Sequence, residues 1–187
     1  MTQLLESTTV REVKQCFVLS DKAKKFANLN ITEFQEGLGA FKKDVEEMSE
    51  QQLDSVLDWR APEYNRLTWR WGTVSIDEIG VWPGAAGLPE RLCLGSVRET
   101  ASGILKMGGV QALPVNGDTR ARDSIPGMEA VAEVISNERL LSLIARAGGT
   151  YRKPPHERMR WDLDDGSVRS VALALVGIER LNAFFGT

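Results

Sequence analysis

Asp164-Asp165-Gly166-Ser167-Val168-Arg169 gathers two carboxylates, a glycine, a hydroxyl and a guanidinium in six consecutive residues. Gly166 can adopt backbone conformations closed to other residues, so Asp-Asp-Gly reads as a tight turn. If a helix begins at Ser167, its first N–H groups have no partner inside the helix and can hold an anion such as phosphate. Arg169 then stands in the first turn with a forked, permanently charged donor. Such a set suits phosphoryl transfer: a phosphate cradle at Gly166, Ser167 and Val168, with Arg169 stabilising developing charge. The structural alternative is Arg169 paired with Asp164 or Asp165, stiffening the turn. Both aspartates oppose an anion unless they hold Mg²⁺, which commonly uses one or two carboxylates plus substrate oxygens. Asp164 and Asp165 are therefore the candidate metal ligands, and Asp165 joins Arg169 as a candidate catalytic group.

Other chemistry-bearing residues are dispersed. Ser96 and Glu99 have the spacing of a capping box, with Arg98 between them. From Arg139 to Arg160 six basic residues face Glu157 alone. Within that stretch Arg152, Lys153, Arg158 and Arg160 are expected to contact DNA phosphates, with stacking help from Trp161 or Trp69. Residues 59–71 interleave Trp59, Arg60, Tyr64, Arg66, Trp69, Arg70 and Trp71. That pattern can stack bases, or it can seal a core while its arginines pair with acids. Arg120 and Arg122 can reach phosphate, although loop arginines are more simply solvated. His156 is the only histidine, which excludes a His-rich metal site and leaves a Ser-His-Asp triad unsupported. It follows Pro154-Pro155 and reads as an exposed loop residue. No G-x-x-x-x-G-K-[ST] occurs, so an ATPase here is not of the P-loop kind.

Asp165-Gly166-x-x-Arg169-x-x-Ala172, followed by Leu175-x-Gly177-Ile178, resembles the D-G-x-H-R-x-x-A…G motif of the ParB/sulfiredoxin-like fold. Ser96 to Val115 is similar to that family's helix, glycine and P-[IV] strand segment, and Thr73–Ile79 to its opening strand. The resemblance covers roughly residues 72–187. Ser167 stands where sulfiredoxins carry a catalytic cysteine, so reductase chemistry is not expected. Val168 stands where the family has histidine. The resemblance implies that the helix starting at Ser96 borders a nucleotide pocket, bringing Ser96, Arg98 and Glu99 near Arg169, with Glu99 among the catalytic residues. Within the fold the chain resembles the Osa-type plasmid fertility-inhibition proteins. That implies an ATPase and DNase that binds ATP and blocks conjugative or T-DNA transfer through a type IV secretion system, and the two aspartates make Mg²⁺ the candidate metal cofactor. The implied partners are DNA, nucleotide and a conjugative coupling protein or secretion component. A non-catalytic module of the same fold, docking such a protein, is the alternative.

The elements that must position these residues follow from periodicity. Met159, Trp161 and Leu163 alternate as in a strand, and Ser167–Val176 is apolar on nearly every side, as in a buried helix. Residues 180–185 and 112–115 read as further strands of one small sheet, and 73–82 as another strand. Residues 97–107 read as a helix, and Met128–Ala147 as the longest helical pattern, which Asn137 can split in two. Residues 1–58 are helical in signal. Ser20-Asp21 is expected to cap a helix through Phe26 and Ala27, Thr32 a second, and Ser49-x-x-Gln52 a third. This part holds seven basic against eleven acidic residues. The expected fold is α/β, a small mixed sheet with helices. Residues 1–71 would form a helical cap and aromatic/basic connector, and 72–187 the main domain, with a helical insertion near 116–150.

A formal net charge of −3 over 187 residues advertises no global basic field. Cys16 and Cys93 are too few for a disulfide framework. No apolar run reaches membrane-span length and no signal-peptide pattern opens the chain, so a cytoplasmic location without membrane insertion is expected.

Overall fold

The computed structural model describes residues 2–23, 30–150 and 152–187. It is an α/β fold around one six-stranded mixed sheet. The strands are β1 (Gln3–Ser7), β2 (Trp69–Ser75), β3 (Ile79–Gly80), β4 (Leu143–Ala147), β5 (Trp161–Asp165) and β6 (Arg180–Gly186). Their spatial order is β1-β2-β6-β4-β5-β3. Pairing is parallel for β4/β6 and β3/β5 and antiparallel elsewhere. The helices are α1 (Val10–Ala23), α2 (Ile31–Glu47), α3 (Glu50–Leu57), α4 (Ala61–Tyr64), α5 (Val97–Lys106), α6 (Arg120–Ala130), α7 (Ala132–Asn137) and α8 (Ser167–Leu175).

Local rules account for several elements directly. Ser49 and Gln52 close the expected capping box on α3, and Ser96 and Glu99 close one on α5. The strand–glycine–helix unit is present as β5, Gly166 and α8, and α8 buries Arg169 through Leu173. α2 is capped by Asn30 in a box with Glu33, rather than by the hydroxyl at Thr32, because Asn30 takes the extended conformation the cap position needs. Ser20 and Asp21 lie inside α1 rather than before a new helix, while Phe26 and Ala27 fall outside the described residues.

Three expectations are corrected by tertiary pairing. Residues 3–7 are a strand although the first 58 residues looked helical. Every one of them is exposed, so the element exists because the open edge of β2 offers a backbone ladder, not because its side chains alternate. The helical pattern over 128–147 comprises the end of α6, then α7, which stops at Asn137 where a split was expected, but its second half is a short 3-10 turn at Arg139–Leu141 followed by β4. Leu143, Ile144 and Ala145 are consecutive and all fully enclosed, as in a strand covered on both faces, and such a run cannot be told from a buried helix by period. β4 lies between β6 and β5, so the 116–150 segment is not a peripheral insertion. Residues 112–115 add no strand. Val110–Ala112 is a 3-10 turn, Pro114 has no N–H to give a ladder, and Val115 is exposed, leaving Leu113 as the buried anchor.

The boundary near residue 71 also dissolves. β1 and β2 belong to the same sheet as β4–β6, and one continuous apolar core runs from Val13 and Cys16 in α1 to Phe184 and Phe185 in β6. No helix among the described residues is long and apolar enough to cross a membrane.

Candidate functional site

Gly166 joins β5 to α8 with φ +94, the left-handed region that a side chain disfavours. A Cβ there would lie 2.5 Å from Leu143 Cδ2. Gly166 caps α8 without a side chain, and Ser170 N–H reaches its carbonyl at 2.8 Å. The start of the helix opens on a cleft of about 600 Å³. Its walls include Asp164 through Arg169, together with Arg60, Arg120, Asp21 and Trp82. The Trp82 N–H donates to Ser167 Oγ at 3.2 Å, fastening the loop after β3 to the first residue of α8.

Arg169 is enclosed rather than extended into the cleft. Its Nη1 donates to Ser20 Oγ at 2.8 Å, and its Nη2 to the Ser142 carbonyl at 3.0 Å and Asp165 Oδ2 at 3.2 Å. It therefore ties α1, the residue before β4 and the β5 turn together. Its Nε is buried with no hydrogen-bond partner among the described residues. The pairing with Asp165 is the structural alternative weighed from sequence, and it coexists with a place in the cleft wall.

Asp164 is committed inward. Its carboxylate is fully enclosed, accepts the Tyr64 hydroxyl, and lies 3.5 Å from Arg60 Nε. Burial raises the Tyr64 pKa well above the usual phenol value, and the neighbouring Asp164 charge raises it further. Arg60 in turn places its guanidinium 4.2 Å from the Trp59 ring centroid and 5.3 Å from that of Phe17. Asp165 is the slightly more open carboxylate, with its side chain 12% exposed. Among the described residues no group of three or more His, Cys, Asp and Glu is gathered for a metal.

The expected neighbours from α5 do not arrive. Among the residues lining the cleft, Ser96, Arg98 and Glu99 do not occur. Ser96 and Glu99 close the α5 cap on each other, with Ser96 N–H donating to Glu99 Oε2 at 2.7 Å. Arg98 pairs with Asp77 at 2.5 Å and Glu179 at 3.5 Å, because its backbone N–H is docked on the Ile76 carbonyl beside the β2–β3 turn. The Arg98 fork holds the Asp77 carboxyl below its ordinary pKa. Arg120, by contrast, does reach the cleft; it is paired with Asp118 at 2.7 Å and remains largely exposed.

The basic approach to β5 divides. Lys153, Arg158 and Arg160 are exposed, Arg160 pairing with Glu78 at 3.1 Å. Arg152 is not a surface residue, and its assignment to the DNA-contacting cluster is corrected. It donates to the carbonyls of Val81 (3.0 Å), Cys93 (3.0 Å), Leu94 (2.5 Å), Gly95 (2.9 Å) and Glu157 (2.8 Å), with Asp162 at 3.6 Å. Burial draws its pKa down, and the Asp162 carboxylate opposes that. Trp69 and Trp161 are interior too, donating to the Tyr64 carbonyl at 3.0 Å and Thr2 Oγ1 at 3.1 Å, so neither ring offers a face to DNA. The His156 side chain is 6% exposed, with Nδ1 2.8 Å from the Lys153 carbonyl, and is a packed rather than a solvated loop residue.

Sequence reasoning missed Asp21 and Trp82 at the cleft and the joint role of Arg60 and Tyr64. The aromatic–arginine alternation of 59–71 was the available signal for the last two. Comparison of the chain with protein-family models, curated proteins and solved structures gave no match.

Proposed function

We propose that this protein is a hydrolase of phosphate esters that binds a nucleoside triphosphate in the cleft at the start of α8 and acts on DNA. The observation that carries the reading is convergence: the uncapped start of α8 and three arginines, Arg60, Arg120 and Arg169, line one cleft. The helix start supplies partial positive charge and N–H donors to phosphate. Arg120 is the exposed cation able to swing onto a terminal phosphate, while Arg169 acts from inside the wall. Asp164 and Asp165 repel phosphate less than their sequence suggests, since Tyr64, Arg60 and Arg169 hold them. The cleft volume lies within the usual small-molecule range of about 300–1,000 Å³. Of the two aspartates, Asp165 would meet Mg²⁺ carried in with the phosphates, because the Asp164 carboxylate is fully enclosed. Exposed Lys153, Arg158 and Arg160 would follow a DNA backbone.

The resemblance to Osa-type fertility-inhibition proteins supplies the biological setting: ATP and DNA hydrolysis in the cytoplasm of a plasmid-bearing donor cell, blocking conjugative or T-DNA transfer by a type IV secretion system. A second reading, a non-catalytic module docking a coupling or secretion protein, is favoured by the internal commitment of Arg169 and Asp164. The deciding experiment measures ATP affinity, ATP hydrolysis and plasmid nicking for the wild type and Arg120→Ala, with Mg²⁺ and with chelator. The hydrolase reading expects turnover that Arg120→Ala lowers at unchanged stability. Nucleotide binding without turnover supports the docking module, and no binding at all rejects the cleft.

A further inference from the structure

We propose that Asp118 is a positioning residue of the cleft: it holds the Arg120 guanidinium until the phosphates of a bound nucleotide take it over, an inference that rests on the nucleotide-binding reading above. α6 turns one face to the cleft, with Arg120, Ser124 and Met128 four residues apart along it. Met128 is 6% exposed and the Arg120 side chain 76%, so the arginine stands at the outer end of that wall. There Asp118 grips it as a fork. Arg120 Nε donates to the two carboxylate oxygens at 3.0 and 3.2 Å, and Nη2 donates to Oδ2 at 2.7 Å. Asp118 Oδ1 also accepts the Arg120 backbone N–H at 3.1 Å. The neighbouring carboxylate of Asp123 is engaged separately, by the Thr119 hydroxyl at 2.7 Å. Asp118 is itself fixed by the fold. Gly87 has φ +82, and a Cβ there would lie 1.7 Å from the Asp118 carbonyl oxygen. Ala85 and Ala86, just before Gly87, line the cleft, so the carboxylate is rooted beside a loop of the cleft wall.

The other two arginines of the cleft, Arg60 and Arg169, are paired with enclosed carboxylates, whereas the Arg120–Asp118 pair lies in solvent. An exposed ion pair is worth little, so releasing Arg120 is easy. A phosphate offers the same forked geometry as a carboxylate and carries more charge. Arg120 therefore exchanges one bidentate anion for another, and the carboxylate it leaves is hydrated. In the ligand-free protein Asp118 competes with the nucleotide and so sets how tightly the cleft binds it. A surface pair that only stiffens the first turn of α6 is the competing account, and it predicts no coupling between the two residues in ligand binding.

The test is calorimetric titration of the full chain with ATP and Mg²⁺ at fixed ionic strength, for wild type, Asp118→Asn, Arg120→Ala and the double variant. Asparagine keeps an oxygen for the Arg120 backbone N–H while removing the charge, and Asp118→Ser does the same if the first variant fails to fold. Thermal unfolding establishes that each variant is folded. The expected result is ATP binding about threefold tighter in Asp118→Asn, the scale of an exposed ion pair. Arg120→Ala should bind about tenfold more weakly than wild type, the scale of a charged hydrogen bond. The double variant should match Arg120→Ala, because Asp118 acts through Arg120. An equal gain from Asp118→Asn in both backgrounds overturns the proposal, leaving only the removal of a negative charge. No gain, or weaker binding, in Asp118→Asn overturns it too and leaves the phosphate cleft standing. Unaltered affinity in Arg120→Ala overturns it by taking Arg120 off the phosphates. Wild-type protein that binds no ATP removes both the proposal and the nucleotide reading.

Discussion

Arg152 and Arg169 stand in the two stretches whose charge first suggested ligands, and both are buried, at 8% and 4% exposure. Arg152 is directed at backbone carbonyls of three separate segments, around Val81, Cys93–Gly95 and Glu157, with Asp162 beside it. It holds irregular chain in place where no ladder or helix can satisfy the carbonyls. Arg169 also braces three segments, through Ser20, Ser142 and Asp165, but one of its faces belongs to the cleft and its Nε has no hydrogen-bond partner among the described residues. The contrast teaches that a run of basic residues says nothing about where each guanidinium points. An arginine whose donors meet carbonyls is a brace, whereas one at a helix start with a donor to spare can serve a site as well.

The sharpest way to break this comparison is Arg152→Ala. It should cost about 3–5 kcal/mol by leaving Asp162 buried without its cation and several carbonyls unpaired, lowering Tm by about 10 °C. Arg152→Lys should recover little, since an ammonium cannot fork across the Cys93–Gly95 carbonyls. A Tm for Arg152→Ala within a degree or two of wild type would make Arg152 dispensable and restore it as a ligand candidate.

Arg169→Ala should cost less, about 2–3 kcal/mol, because two of its three partners are neutral and Asp165 keeps some access to water. It should also weaken nucleotide binding, measured on the folded fraction. Destabilisation with unchanged affinity would reduce Arg169 to a brace like Arg152.

Tyr64→Phe probes the buried partner of Asp164 behind the cleft wall. Loss of the hydroxyl that Asp164 accepts should cost about 1–2 kcal/mol at neutral pH. The folded phenol has a raised pKa, so its contribution is full below the unfolded value near about 10 and declines as pH rises above it. Urea denaturation between neutral and strongly alkaline pH should show a steep alkaline loss in wild type and a shallower one in Tyr64→Phe. Parallel curves would show that Tyr64 does not govern alkaline unfolding.

The smallest stability effect belongs to Lys153→Glu with Arg158→Glu, both exposed, which should move stability by no more than about 0.5 kcal/mol. DNA affinity should nevertheless fall alike for all sequences, with the salt slope shallower by about one for each phosphate no longer neutralised. Unchanged DNA binding would assign this stretch to ordinary solvated surface.

Local signals were legible wherever neighbours in sequence are neighbours in space. The α3 and α5 capping boxes, the β5–Gly166–α8 turn and the apolar face of α8 each involve groups within a few residues of one another, and the structure contains all of them. The α/β class followed from the same periodicities. The composition of the cleft was half legible: Asp164–Arg169 were found together, and Arg60 lay in a stretch noticed for its pattern but not joined to them.

What tertiary structure alone decided was which chain segments become partners at long range. Gln3–Ser7 is a strand only because β2 has an edge, and Leu143–Ala147 is a strand only because β5 and β6 flank it. Arg152 faces inward because carbonyls up to 71 residues away converge on it, and Arg98 is drawn to Asp77 rather than to Arg169. The amino-acid sequence by itself determined turns, caps and apolar faces, since these depend on backbone sterics and side-chain spacing. It left open strand pairing and the direction of each guanidinium, because both are set by which distant backbone groups would otherwise be buried without a hydrogen bond.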